Sequence, residues 1–123
     1  MTRFRAIILA TVPAIGLLAA PAAAADLEFF TGQSLYAQCS AKPADADFAT
    51  RNALCTGYVV GISDAQQAAQ GMGGPQRVCF PAGVTAAQMV VAVTAFLDAH
   101  PEKRPLAAQD LVVEALSAQS PCK

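Results

Sequence analysis

The longest helical pattern in this chain runs from about residue 47 to residue 70. Apolar side chains recur there at steps of three and four residues, which a strand with its two-residue period would not give. Gly57 and Gly61 lie within the pattern, and each costs roughly 1 kcal/mol relative to alanine inside a helix. We therefore expect a neighbouring helix or a bulky ring to approach the bare backbone there. The apolar residues are Phe48, Cys55, Tyr58, Val59, Ile62, Ala65 and Ala69.

Three shorter helices are predicted around this long one. The segment 31–39 holds about two turns and precedes the long helix. Thr85 and Gln88 match a capping box, in which a hydroxyl and an amide satisfy each other's unpaired N–H groups, and the helix that they open stops at His100 before a proline. Pro105 suits the first turn of the last helix.

A glycine-rich loop separates the second and third helices. Gly71 is suited to the left-handed conformation that ends many helices, and Pro75 cannot continue a helix. No long stretch of the chain alternates apolar and polar residues with period two. The sequence therefore predicts an all-α fold, a small four-helix bundle.

The first 25 residues predict a cleaved signal peptide. Two arginines precede an apolar stretch at residues 7–20, and these 14 residues are short for crossing a hydrocarbon core of about 30 Å. The small residues that follow suit a signal peptidase, so we expect cleavage after Ala24 or Ala25. Residues 26–123 then form a single helical domain in the periplasm.

Four cysteines follow the leader, at Cys39, Cys55, Cys79 and Cys122. Their even number in an oxidising compartment predicts two disulfides. A metal site would favour a closely spaced pair, whereas the shortest separation here is 16 residues. The sequence alone allows three pairings, but antiparallel helices bring the start of the third and the end of the fourth together. This packing favours Cys39–Cys55 and Cys79–Cys122.

Charge and composition narrow the function. The chain carries 8 basic and 9 acidic residues, and removal of the two leader arginines leaves 6 − 9 = −3. An acidic domain without a basic run disfavours nucleic acid or membrane partners. There is one histidine, His100, and its place at a helix end suits a cap better than catalysis. We therefore expect no catalytic residue, cofactor or metal, and no enzyme activity.

An ordered set of residues extends from about residue 29 to residue 122, and it resembles one protein family. That family is the Rap/Tai family of immunity proteins, which protect bacteria against type VI secretion peptidoglycan amidases. The set comprises Phe30-x-Gly32-x-x-Leu35-x-x-x-Cys39, Cys55-x-Gly57-Tyr58-x-x-Gly61-x-x-Asp64-Ala65, Cys79-x-Pro81, Gln88, Phe96-Leu97-x-x-His100-Pro101-Glu102, Val113, Ala115-Leu116 and Pro121-Cys122.

The resemblance implies a small helical periplasmic protein, often a homodimer, without catalytic residues of its own. Its partner would be a peptidoglycan amidase effector, whose active-site cleft it would plug. Within the shared motif, Gly57, Tyr58, Gly61 and the four cysteines are similar to scaffold residues.

Recognition residues would then lie outside the shared motif, in the loops 71–77 and 100–104. The first loop is favoured because the start of the second belongs to the family pattern. Met72 offers an apolar group that can enter a cleft, and Arg77 can pair with an acidic rim. The predicted partner-binding residues are Met72, Gln76, Arg77, Lys103 and Arg104.

A second function class is an acid-stress chaperone that resembles HdeA-like periplasmic proteins. The region around Cys39 and the stretch 58–61 would also suit that group. Two disulfides argue against it, because they resist the loosening that acid activation requires. The single histidine and the lack of a dense carboxylate patch argue against it as well.

Overall fold

The computed structural model of the protein describes residues 30–123. The described helices are α1 (Gly32–Cys39), α2 (Phe48–Gly71), α3 (Ala86–Ala99) and α4 (Ala108–Gln119), with a 3₁₀ turn at Pro101–Lys103. The β-type pairing within these residues is limited to one isolated bridge between Thr31 and Ala107. The all-α prediction is therefore confirmed. The predicted signal peptide, residues 1–25, lies outside the described residues.

Threonine side chains begin two of these helices. The Thr31 hydroxyl accepts a hydrogen bond from the Ser34 N–H at the start of α1. At the start of α3, the Thr85 hydroxyl accepts from the Gln88 N–H, and the Gln88 side-chain oxygen accepts from the Thr85 N–H at 2.9 Å. The predicted capping box is confirmed, and α3 ends before Pro101 because proline lacks the N–H that would continue it.

The last helix begins later than the sequence predicts. Pro105 is not in its first turn, since α4 starts at Ala108. Residues 104–107, which we name the 104–107 turn, have another role. The N–H groups of Gly32 and Gln33, which would otherwise be unpaired at the start of α1, donate to carbonyl oxygens of this turn at 2.8 and 2.7 Å. The turn therefore caps the start of α1, and α4 begins only after it.

The end of α2 also differs from the prediction. Gly71 remains helical, and the left-handed conformation falls instead on Gly73, whose φ is +88°. The N–H of Gly74 then donates to the carbonyl oxygen of Ala69 at 2.8 Å. The left-handed residue that follows the helix is therefore Gly73, two residues later than predicted, and the last carbonyl groups of α2 accept hydrogen bonds there.

All four helices contribute to one apolar core. Burial of a leucine or valine side chain stabilises a fold by about 1.5–3 kcal/mol, so this cluster provides the main force that joins the helices. The largest fully buried side chains are Leu35, Leu97, Leu111, Val59, Val93, Val112 and Cys55.

Two disulfides join the ends of the helices. Cys39 at the end of α1 is bonded to Cys55 in α2, and Cys79 before α3 is bonded to Cys122 after α4. Both favoured pairings are therefore confirmed. The separations of 16 and 43 residues correspond to about 3 and about 4 kcal/mol of stabilisation in the chain-entropy treatment.

Arginine 51 strengthens the joint between α1 and α2. Its guanidinium donates to the carbonyl oxygen of Ala37, with the Nε at 3.1 Å, and lies 3.5 Å from Asp45 and 3.6 Å from Asp47. A carbonyl group near the end of α1 thus gains a charged donor, which suits the negative end of a helix dipole.

The prediction that another helix or a ring packs closely against Gly57 and Gly61 is wrong. Both glycines lie on the exposed face of α2, and a Cβ built at either one has no neighbouring atom within 4 Å. The close contact lies instead at Gly32. A Cβ there would overlap the Leu111 Cδ1 atom and lie 3.0 Å from the Arg104 carbonyl oxygen. The bare backbone is therefore needed at the start of α1.

This contrast between glycines predicts opposite effects of the same substitution. Gly32→Ala should lower the free energy of unfolding by about 1–3 kcal/mol, because the added methyl group overpacks the contact with α4. Gly57→Ala should raise it by up to about 1 kcal/mol, because alanine is the better helix former and meets open space. Urea denaturation of the oxidised proteins measures both changes. Equal effects of the two substitutions would contradict this account.

Candidate partner-binding surface

The loop after α2 exposes three of the predicted partner-binding residues. Met72, Gln76 and Arg77 are all exposed, and 83% of the surface of Met72 is accessible. A thioether side chain is flexible and polarisable, so it adapts to the shape of an apolar partner surface. This loop therefore exposes both an apolar and a cationic group.

The backbone at the end of this loop is held in place. The Ser117 hydroxyl donates to the carbonyl oxygen of Arg77 at 2.8 Å. Two residues further on, the Cys79 N–H donates to the carbonyl oxygen of Ser120 at 2.9 Å, and the disulfide joins Cys79 to Cys122. Arg77 is therefore presented from a backbone that is fixed to the last turns of α4.

The charge of Arg77 is not compensated by the protein. Within residues 30–123, no carboxylate lies within 4.0 Å of its guanidinium, whereas Arg51, Lys103 and Arg104 each have an acidic neighbour. Arg77 lines a cleft between α2 and α4, together with Asp110 in the first turn of α4. An external group can therefore pair with this cation at no cost to an internal ion pair.

Arg104, in contrast, is used inside the protein. Its guanidinium lies 3.6 Å from the centroid of the Tyr36 ring, an arrangement that favours a cation–π contact. Its Nε donates to the carbonyl oxygen of Leu97 at 2.7 Å, and its Nη2 lies 3.7 Å from Asp98. The Tyr36 hydroxyl also donates to Asp98 at 2.7 Å, and this hydrogen bond is the main reason why the pKa of Tyr36 is raised. Arg104 thus holds α1 against α3.

Lys103 is similarly engaged. Its ammonium forms an ion pair with Glu114 and lies 5.3 Å from the centroid of the Phe96 ring. His100 caps α3 and its ring lies 4.6 Å from the same phenylalanine, with the Nδ1 3.0 Å from Glu102. The pKa of Glu102 is lowered first by its own backbone hydrogen bond and then by the histidine. The side chains of His100, Glu102 and Lys103 are thus engaged in contacts within the protein.

The predicted partner-binding residues of the two loops differ in their internal contacts. Both loops reach α4, Lys103 through its ion pair with Glu114 and Arg77 through the hydrogen bond that its carbonyl oxygen accepts from Ser117. Lys103 and Arg104 are engaged within the protein, whereas within residues 30–123 Arg77 has no carboxylate within 4.0 Å of its guanidinium. The loop after α2 is therefore the one with uncommitted groups.

Among the predicted scaffold residues, Tyr58 is half-buried and packs against Phe30, with ring centroids 5.0 Å apart. Burial, and then the charge of Asp110, raise the pKa of Tyr58. Gly57 and Gly61 lie on the exposed face of the same helix. Of these three residues, the tyrosine therefore makes the packing contact.

Sequence reasoning did not select three large apolar residues that the structure exposes. Leu54 is 56% exposed, Val91 is 68% exposed and Leu106 is 56% exposed. For Val91 a signal existed, because α3 is apolar on nearly every side and such a helix is normally enclosed. Its outer face is open in this structure. For Leu54 and Leu106, the tertiary arrangement alone decides the exposure.

Comparison with protein families gives one match. Residues 31–122 match the model described as Rap1a immunity proteins. No curated protein and no solved structure matches the chain. Among residues 30–123, no helix has the length and apolar character needed to cross a bilayer, and no group of three histidine, cysteine or carboxylate side chains is arranged to hold a metal.

The different environments of two arginines predict different effects on stability. Arg104→Ala should lower the free energy of unfolding by about 2 kcal/mol, because a charged hydrogen bond and a ring contact between helices are lost. Arg77→Ala is the matched control and should change it by no more than about 0.5 kcal/mol, as for most exposed side chains. Urea denaturation measures both. A larger loss at Arg77 than at Arg104 would show that the loop after α2 is packed framework.

Proposed function

This chain belongs to the Rap1a immunity protein family, and we propose that it binds and occludes the active-site cleft of a peptidoglycan amidase toxin delivered by type VI secretion. The family supports an immunity role and a protein toxin as partner. The observation that supports the proposed binding surface is that one loop carries the exposed Met72 and the exposed Arg77, a cation that within residues 30–123 has no internal ion pair.

The proposed surface would recognise its partner through an apolar contact and a charged contact. Transfer of the Met72 side chain from water into a cleft would contribute about 1.5–3 kcal/mol to the binding free energy, as for other large apolar side chains. Arg77 would select a partner with an acidic rim and speed the encounter, because charge complementarity acts mainly on specificity and association rate. Gln76 lies between them as an exposed hydrogen-bonding group.

Inhibition by occlusion requires no chemistry from this chain. The toxin would be inactive while its cleft is filled, and it would recover when the complex dissociates. The role of the Cys79–Cys122 disulfide would be to keep the binding loop in place, since it closes two residues after Arg77. A backbone that is ordered before binding loses less conformational entropy in the complex.

The proposed compartment is the periplasm. Two disulfides are typical of oxidising compartments, and the predicted leader at residues 1–25 would direct export. The resemblance also implies a homodimer. Val91 on α3 gives such a contact an exposed apolar residue that is separate from the loop after α2. Sedimentation equilibrium of the purified protein should then give twice the monomer mass, and a monomer mass at micromolar concentration would remove this part of the proposal.

Capture of the partner tests the proposed function. The oxidised protein, expressed from the full chain, is immobilised and exposed to periplasmic and secreted fractions, and captured proteins are identified by mass spectrometry. We expect stoichiometric capture of a cell-wall amidase. Met72→Asp and Arg77→Glu should each weaken its binding by about tenfold or more, because each removes a central contact. Thermal midpoints should stay nearly unchanged.

Two variants on the same molecule serve as matched controls. Leu54→Asp introduces the same charge at an exposed apolar position within α2, away from the loop, and Lys42→Glu reverses an exposed charge in the loop before α2. Both should bind the amidase as the unmodified protein does. Binding that is insensitive to Met72 and Arg77 would reject the proposed surface. Capture of many unrelated proteins only after acid treatment would instead favour an acid-stress chaperone.

A further inference from the structure

A cleft of about 210 Å³ lies between α2 and α4. Ile62 and Ala65 of α2 and Val113 of α4 form its aliphatic walls. A space of this volume can take a small molecule that has an aliphatic part.

Two opposite charges line this cleft without pairing with each other. Arg77 and Asp110 are both exposed, and within residues 30–123 neither lies within 4.0 Å of an opposite charge. Asp110 also contributes to the raised pKa of Tyr58, after burial, so its negative charge is felt by the neighbouring ring. The cleft thus has a cationic and an anionic group that are both available.

The backbone at both charged residues is held in place by other parts of the protein. The Ser117 hydroxyl holds the carbonyl oxygen of Arg77, and Asp110 belongs to the first turn of α4. Gln66 and Gln109 line the same cleft, and an amide side chain provides both donors and an acceptor. The arrangement therefore combines groups that recognise a carboxylate, an ammonium and a peptide group.

The charges also decide which ligand class fits. A ligand with only a negative charge would be repelled by Asp110, and one with only a positive charge would be repelled by Arg77. An apolar ligand would remove both charged groups from water without replacing their hydrogen bonds, which is unfavourable. A molecule with both charges satisfies both groups.

We propose that the cleft between α2 and α4 binds a small zwitterion, an amino acid or a dipeptide with free ends, with its carboxylate on Arg77 and its ammonium on Asp110. The aliphatic walls contact its carbon atoms, and the glutamine amides bond its peptide group. This binding goes beyond the proposed inhibition of a toxin, and it requires no second protein.

An NMR titration of the oxidised protein alone, expressed from the full chain, tests this proposal. Glycylglycine is the probe, and two blocked forms are its controls. N-acetylglycylglycine lacks the ammonium, and glycylglycinamide lacks the carboxylate. We expect glycylglycine to cause saturable shifts confined to the side-chain amides of Gln66 and Gln109 and to the backbone near Arg77 and Asp110. Each blocked form should bind about tenfold more weakly, as expected for loss of one charged hydrogen-bonding contact.

Matched variants identify the groups that bind. Arg77→Gln and Asp110→Asn should each weaken glycylglycine binding by about tenfold, with preserved dispersion of the spectrum. Asp64→Asn removes another exposed carboxylate of α2 that does not line the cleft, and it should have no effect. Non-saturable shifts, equal shifts with the blocked peptides, or equal binding by all three variants would overturn the proposal. Toxin capture is measured separately, so either proposal can fail alone.

Discussion

The need to satisfy the first N–H groups of α1 organises much of this structure. A helix of eight residues cannot leave these donors unpaired beside a core, and the 104–107 turn supplies the carbonyl oxygens. The turn can approach only because Gly32 has no side chain. The same approach brings the Arg104 guanidinium over the Tyr36 ring. One short turn therefore fixes α1 to both α3 and α4.

This arrangement also determines which surface remains available. Lys103 and Arg104 are occupied with internal contacts at the end where α1 is held. At the other end of α4, the disulfide and the Ser117 hydroxyl fix the backbone and leave the Arg77 side chain free of an internal ion pair. The two loops have similar charge in the sequence, but their places in the bundle give them different roles.

Local rules were sufficient for most of the fold. Helical periodicity located α2, the Thr85 capping box located α3, and antiparallel packing gave both disulfides. Non-local contacts explain the errors. Pro105 lies outside α4 because the residues on either side of it accept hydrogen bonds from the start of α1. The sequence also does not show which face of α2 packs against another helix, so the close contact was predicted at the wrong glycines. The proximity of Arg77 and Asp110 in one cleft is likewise set only by the tertiary packing.

The two disulfides differ in how much of the chain each one encloses. Cys39 and Cys55 are 16 residues apart in α1 and α2, so their bond requires neither α3 nor α4. Cys79 and Cys122 are 43 residues apart and enclose both α3 and α4. Loss of Cys122 would therefore leave α1 and α2 cross-linked and release the end of the bundle that carries Arg77.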